Sequence, residues 1–465
     1  MRTNFNTLIN FIRFSSSIGF GVLYSSLAIF MINHLHFSTN QSIIITGIFI
    51  SLHYSLATLN GIVVGKLISY IDALNIGVLL QIIGFIYLYQ DYSHFFLGSA
   101  IFLVGSISGA LSINMLITQR FQNDSNAREK SFIYNYVAMN VGNITGFTIA
   151  GYSQIHDQLG IVQYIVATLM SITLIIGIIK RKLLQDQHTQ YIKLNFWKRR
   201  IANIKFIIVL GMLVLIVQKA LIYSTITSNY LLLILLCITI FFLIQNLKNN
   251  KPGGYALIIF ATFYLLFWSL YFLIPTGLSI FIAKCVNNQI FSVSIAPAWV
   301  VNINSFVVII GGILLPSILK KTNTTNQLTP IRKFIFGGIF VGLTFLTIIL
   351  GIVIAQFNLV PLIWIVIAYI FLSIAELLIA PIGLALVASY VKPRNQSVLS
   401  GVWWSLLGVG GLISSKISNY VNFKTSSTIE LNHNFINFFG ISLFIIALGT
   451  LILYMLSKTR LFIEK

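Results

Sequence analysis

Residues 360–390 read VPLIWIVIAYIFLSIAELLIAPIGLALVASY. A helix needs about 20 apolar residues to cross roughly 30 Å of hydrocarbon, and this run exceeds that length with one charge inside it, Glu376. An ionised carboxylate in hydrocarbon is costly, so an acid kept there is expected to face a cavity or a partner. The expected partner is Arg13, an arginine inside the first apolar run. Pro381 follows the acid, removes the hydrogen bond that would reach the Leu377 carbonyl and kinks the helix. A pocket beside Glu376 is expected from that break. The alternative is a neutral, hydrogen-bonded structural acid.

Similar runs recur along the whole chain. The composition is 57% hydrophobic and 8% charged, with a mean hydropathy of +0.92, which excludes a soluble globular domain. The runs are continuous rather than alternating, so they predict helices and not a barrel. We place fourteen spans near residues 8–33, 42–65, 73–90, 94–118, 131–155, 160–180, 204–222, 228–247, 254–276, 294–319, 334–355, 360–390, 396–418 and 434–457. The N-terminus has no small-residue cleavage site and runs straight into the first span, which reads as a retained helix.

A net charge of +20 suggests nucleic acid until the basic residues are located. With the N-terminus inside, 24 of the 29 Lys and Arg fall in inside segments, all except Arg13, Lys219, Lys284, Lys416 and Lys424. That asymmetry is the positive-inside rule, and it predicts a multi-pass protein of the cell membrane with both termini cytoplasmic. The charge reports topology, and no nucleic-acid partner is expected. Cys237 and Cys285 form no redox or metal spacing, and His34 and His36, two apart, are too few ligands for a metal. No phosphate loop or nucleophile–base arrangement occurs, so neither enzyme activity nor a cofactor is expected.

The polar stretch around 183–203 separates six spans from eight, and Lys248, Lys251, Pro252 and Gly253 separate two short spans from the last six. The chain therefore divides as 1–182, a six-helix bundle, 183–250, a linker with a two-helix insertion, and 251–465, a second six-helix bundle. Two six-helix halves around a midplane site is the major facilitator pattern. Small residues four apart, Gly105 and Gly109, Gly142 and Gly146, Gly338 and Gly342, Gly410 and Ser414, predict close helix packing.

Several segments then carry a resemblance. The first span reads IRFSSSIGFGVLYSSLAIF, the second has Tyr54 followed by Asn60 and Gly61, and the fifth has Tyr136, Met139, Asn140, Val141 and Gly142. Phe267 and Trp268 lie in the ninth, APAWVVNIN at 296–304 opens the tenth, AELLIAPIGLALV at 375–387 ends the twelfth, and Gly401 and Trp403 lie in the thirteenth. In order and over nearly the whole chain, these resemble the ExxERFxYYG, FYxxINxG, PPAWFQSINP, GELLLSPIGLSLV and MGxWF segments of the proton-coupled oligopeptide transporter family. Bacterial members carry two extra central helices, as the six-two-six division does.

Departures accompany the resemblance. Ile9 and Ile12 replace both glutamates of the first motif while Arg13 remains, Ser112 stands where the family has a lysine, though Asn114 fits, and Gly65 replaces an acid beside Lys66. Phe272 and Leu273 stand where a glutamine and a glutamate are expected. The resemblance implies transport of small peptides or peptide-like zwitterions, with Glu376 gripping the amino terminus, Arg13 the carboxylate, and Tyr54, Asn140, Asn304 and Trp403 lining the cavity. Arg13 could instead snorkel to the membrane face, and Tyr, Trp and Asn also serve as interface anchors and interhelical links. With the usual acids missing, proton symport would run through Glu376 or His53, the only histidine in the interior of a span. A lone histidine bonded between helices is the plainer reading of His53, and Lys219 is expected to snorkel or face a neighbouring helix. Two rival functions remain, export or import of another metabolite such as a siderophore or drug-like molecule, and ligand sensing without transport.

Overall fold

The structure is a computed structural model that describes residues 2–186, 189–249, 251–321, 329–423, 425 and 427–459. The chain packs as two compact units, Met1–Leu27 with Leu52–Thr227, and Ala28–Ser51 with Ser228–Lys465.

The first unit draws on α1 (Arg2–Asn33) and α2 (Thr39–Val63), then holds α3 (Tyr70–Leu88), α4 (Tyr92–Arg120), α5 (Ser125–His156), α6 (Leu159–Ile179) and α7 (Phe196–Ile222). Helix starts follow local chemistry. Ser69, Asp91, Asp124 and Asn195 each turn a side-chain oxygen back onto an N–H of the first turn of α3, α4, α5 and α7. Many hydroxyls inside the spans return to carbonyls of their own helix, as Ser112 does to Ser108 at 2.7 Å and Thr46 to Ser42 at 2.8 Å. One close approach joins α3 to α4. A Cβ on Gly84 would sit 2.7 Å from the Gly98 carbonyl oxygen and one on Gly98 2.8 Å from the Gly84 oxygen, so the two backbones touch.

The linker after α6 is docked on this unit. Leu184 is buried, the Tyr191 N–H donates to the Gly65 carbonyl at 3.0 Å, and the Asp186 carboxylate accepts from the Tyr70 and Ile71 N–H groups at 2.7 and 3.3 Å. Burial pushes the Asp186 carboxyl above its ordinary range, against the pull of those two N–H groups. A residue 115 positions away thus caps α3.

The second unit holds α8 (Ser224–Asn249), α9 (Lys251–Tyr271), α10 (Ser279–Cys285), α11 (Pro297–Val300), α12 (Asn302–Lys321), α13 (Pro330–Ile354), α14 (Leu362–Ile379), α15 (Gly383–Tyr390), α16 (Pro393–Ser418) and α17 (Thr428–Ser457). Between α9 and α10 a π turn at Ile274–Leu278, with Pro275 near its start, leaves Thr276 outside helical geometry. Hydroxyls of α16 surround the break. Thr276 Oγ1 lies 3.0 Å from Ser414 and 3.2 Å from Ser418, and the Gly277 N–H donates to Ser418 at 3.2 Å. Short strands link the ends, β1 (Val286–Asn287) parallel to β4 (Val360–Pro361), and β2 (Gln289–Ile290) antiparallel to β3 (Val293–Ser294).

All fourteen expected spans coincide with helices. The tenth is split into α11 and α12, and the twelfth into α14 and α15 by a 3-10 turn at Ala380–Ile382 that contains Pro381. Among the described residues, eleven stretches are long and apolar enough to cross a membrane. The small-residue pairs behave unevenly. Gly142 and Gly146 seat α5 on α1, Gly105 meets the Gly77 carbonyl and Gly338 meets Thr450, whereas Gly109 and Gly342 make only ordinary contacts.

Candidate functional site

Three helices of the second unit bring Tyr271, Asn304 and Glu376 together. Glu376 Oε2 accepts the Tyr271 hydroxyl at 2.8 Å and the Asn304 side-chain amide at 2.9 Å. The same amide nitrogen donates to Ser373 Oγ at 3.0 Å, and Ser373 returns its own proton to the Tyr369 carbonyl at 2.6 Å. Glu376 stands one turn before the Ala380–Ile382 break, and the Ala380 N–H bonds its carbonyl. Within its unit, Glu376 has no ion-pair partner among the described residues, so neutral donors hold the carboxylate.

Aromatic rings extend from this group. Tyr271 lies 4.9 Å from Trp268 between ring centroids, Trp268 5.9 Å from Tyr264, and Tyr264 4.7 Å from Trp403. The indole nitrogens of Trp268 and Trp403 are buried, and both indoles reach the Tyr264 hydroxyl. Gly383, just past the Pro381 turn, makes room for Trp403, since a Cβ there would collide with the indole nitrogen. The break after Glu376 therefore also positions Trp403.

The first unit gathers Arg13, His53 and Tyr54. The Arg13 Nη2 rests 2.9 Å from the Met139 sulfur, a weak acceptor, and its Nε is buried with no partner. Both Tyr54 and His53 lie within electrostatic reach of the guanidinium. Ile9 and Ile12 are fully buried, so no acid of the first turns stands beside it. His53 Nδ1 lies 3.1 Å from Ser106 Oγ on α4, its ring stacks on Phe20 at 4.2 Å and meets the edge of Tyr54 at 5.0 Å. That is the interhelical bonding expected of a structural histidine. Asn140 follows Met139 in the chain, is buried, and donates to the Tyr136 carbonyl one turn back at 3.0 Å.

The sequence-derived residues thus form two groups, Arg13, His53, Tyr54 and Asn140 in one unit, Asn304, Glu376 and Trp403 in the other. Asn60 and Gly61 lie outside the residues whose side chains are described. Lys219 is exposed on α7. Phe272 and Leu273 are fully buried apolar residues. Tyr271 escaped the reading of the sequence; its signal is a position one turn beyond Trp268 on the face that carries Tyr264 and Phe267. No cluster of His, Cys, Asp or Glu suited to a metal ion occurs among the described residues.

Known proteins give the class. The sequence matches the POT family (PTR2) over residues 100–435, and the chain belongs to that family. Among its curated relatives are the dipeptide and tripeptide permease B of Salmonella typhimurium, 25% identical over 432 residues that cover 89% of this chain and 86% of the relative, and the protein of the same name from Aeromonas hydrophila, 24% identical over 431 residues, 89% and 84%. Among solved structures, a peptide transporter POT in complex with alafosfalin superposes with a TM-score of 0.85 at 18% identity over 97% of this chain and 94% of that one. A bacterial homologue of the human drug peptide transporters PepT1 and PepT2 gives 0.83 at 15% identity, over 98% of each chain. The fold is the all-α major facilitator fold of these transporters.

Proposed function

We propose that this protein is a secondary active transporter that carries small peptides or peptide-like zwitterions across the cell membrane by alternating access, with both termini cytoplasmic. The observation that carries the reading is a pair of uncompensated buried charges. Arg13 is met by a sulfur atom and Glu376 by two neutral donors, so neither is spent on an ion pair within its own unit. A peptide offers an ammonium at one end and a carboxylate at the other. Glu376 takes the amino group and Arg13, with its planar fork, the carboxylate.

Tyr54, Asn140, Asn304 and Trp403 complete the proposed site, with Tyr271 added as the residue that orients Glu376. For function we propose the division 1–182, 183–250 and 251–465, two six-helix halves and a linker with a two-helix insertion, although by packing α7 belongs with the first unit and α8 with the second. Relatives named for dipeptide and tripeptide transport support the cargo class, and family membership favours it over another metabolite or a sensor that does not transport. Proton symport, with the acids of the first motif replaced by Ile9 and Ile12, runs in this proposal through Glu376 or His53.

The test is uptake into liposomes of a radiolabelled dipeptide against the same dipeptide acetylated at its amino end. Accumulation of the free dipeptide alone is the expected result. Saturable binding without uptake under any ion gradient would select the sensor, and uptake of a siderophore-like solute with indifference to peptides would select the rival transporter.

A further inference from the structure

A cavity of about 450 Å³ lies in the first unit between α3, α6 and α7, next to the linker, and the transport reading leaves it unused. Ile178 and Ile207 form its apolar side, and both are more than half exposed, at 57% and 63%, on spans that a bilayer surrounds. Asp72, Asn75, Arg181 and Asn203 form its polar side. The change from one to the other falls where α6 passes from Ile178 and Ile179 to Lys180, Arg181 and Lys182, which is the depth of lipid headgroups.

The charge around it is one-sided. Residues 180–205 contain eight Lys and Arg and a single carboxylate, Asp186, already occupied by the start of α3. Asp72 pairs with Arg181 at 2.7 Å and takes the Ser69 hydroxyl at 2.6 Å, but the Arg181 side chain stays 58% exposed with donors to spare. Asn203 Oδ1 is buried without a partner. Gly177 lets the Asn75 amide approach α6, where a Cβ would lie 2.5 Å from Asn75 Oδ1. At the start of α7, Phe196 and Trp197 are 64% and 69% exposed beside Lys198, Arg199 and Arg200, the aromatic and basic pairing of a membrane interface.

We propose that this crevice seats one anionic phospholipid of the leaflet on the linker side, of the phosphatidylglycerol type. Its phosphodiester accepts from Arg181 and the neighbouring lysines, a headgroup hydroxyl donates to Asn203 Oδ1, and its chains lie along Ile178 and Ile207. Basic pockets between membrane helices hold such headgroups, and each basic residue near the surface strengthens the attraction about fivefold. The linker and α7 thereby act as a lipid clasp on the first unit. This inference does not rest on the cargo.

Native mass spectrometry of the full-length protein, titrated with a phosphatidylglycerol and separately with a phosphatidylcholine of the same chains, tests it. One phosphatidylglycerol should be retained at least about fivefold more tightly than phosphatidylcholine. Arg181→Gln should weaken that retention about fivefold, and Asp72→Asn, which frees the guanidinium, should strengthen it. Loss of a merely structural ion pair would weaken it in both variants. The proposal is overturned by equal retention of the two lipids, by parallel weakening in Asp72→Asn and Arg181→Gln, or by displacement of the lipid by an equal concentration of glycerol phosphate.

Discussion

Asn304 and Glu376 lie 72 residues apart in the chain, and the side-chain amide of the first donates to one oxygen of the second at 2.9 Å. The Asn304 nitrogen spends its second hydrogen on Ser373, so this bridge ties α12 to two successive turns of α14. Tyr271 completes the grip from α9 on the same oxygen. Among the described residues the other carboxylate oxygen, Oε1, has no donor, which leaves it for an arriving ammonium.

Replacing Glu376 with Gln should weaken a free dipeptide about tenfold to a hundredfold, because a hydrogen bond to a charged group contributes about 1.5–3 kcal/mol. A dipeptide acetylated at its amino end should bind wild type and variant alike. Competition against a labelled peptide measures both; equal losses for the two ligands would remove Glu376 from the amino-end pocket.

Arg13 should fail in the complementary way. Arg13→Lys keeps the charge but loses the planar pair of donors, so uptake should fall nearly as far as in Arg13→Gln. A dipeptide whose carboxyl end is an amide should lose the distinction among the three proteins. Uptake by Arg13→Lys at the wild-type rate would show that the fork is not used.

Proton drive is measured by imposing a pH gradient on liposomes. In Glu376→Gln with His53→Ala, gradient-driven accumulation should vanish while exchange of peptide across the membrane, scored separately, reports whether the variant still turns over. Drive that persists unchanged in the double variant would place coupling elsewhere.

Gly84→Ala forces a methyl group against the backbone of α4, an overpacking cost of about 1–3 kcal/mol. Gly211→Ala meets no atom within 4 Å on α7, and helix propensity alone should raise its stability by about 1 kcal/mol at most. Melting curves of the two variants in the same detergent should therefore move in opposite directions.

Asp91, the exposed N-cap of α4, is held down to about 2, first by the Ser93 hydroxyl and then by the backbone N–H and ring of His94. A depressed carboxyl stabilises the folded state above its ordinary value, 3.8, and that contribution is lost as pH falls through about 2. Amide exchange at residues 92–95, corrected for intrinsic rates, should be unchanged between pH 7 and 5 and faster near pH 2.

The fourteen spans were legible because a membrane helix satisfies its backbone within one continuous stretch, so length and apolarity suffice to find it. Pro381 announced the break beside Glu376 for the same local reason, whereas the π turn after α9 went unread in the sequence and depends on hydroxyls supplied by α16. Gly142 and Gly146 could be read as packing sites from their spacing, but Gly84 and Gly98, which make the closest backbone contact of the α3–α4 pair, could not. Neither has a small residue four positions away on its own helix, and only the partner gives it a role.

Sequence by itself determined the membrane class, the helices and the rare charges inside them, since the cost of placing polar groups in hydrocarbon acts on each residue where it stands. Tertiary structure alone decided which neighbours those charges meet: Tyr271 and Asn304 on Glu376, a sulfur on Arg13, Ser106 on His53, and Asp186 on the start of α3. Such pairings join residues tens of positions apart on different helices, and no local spacing records which helix faces will be pressed together.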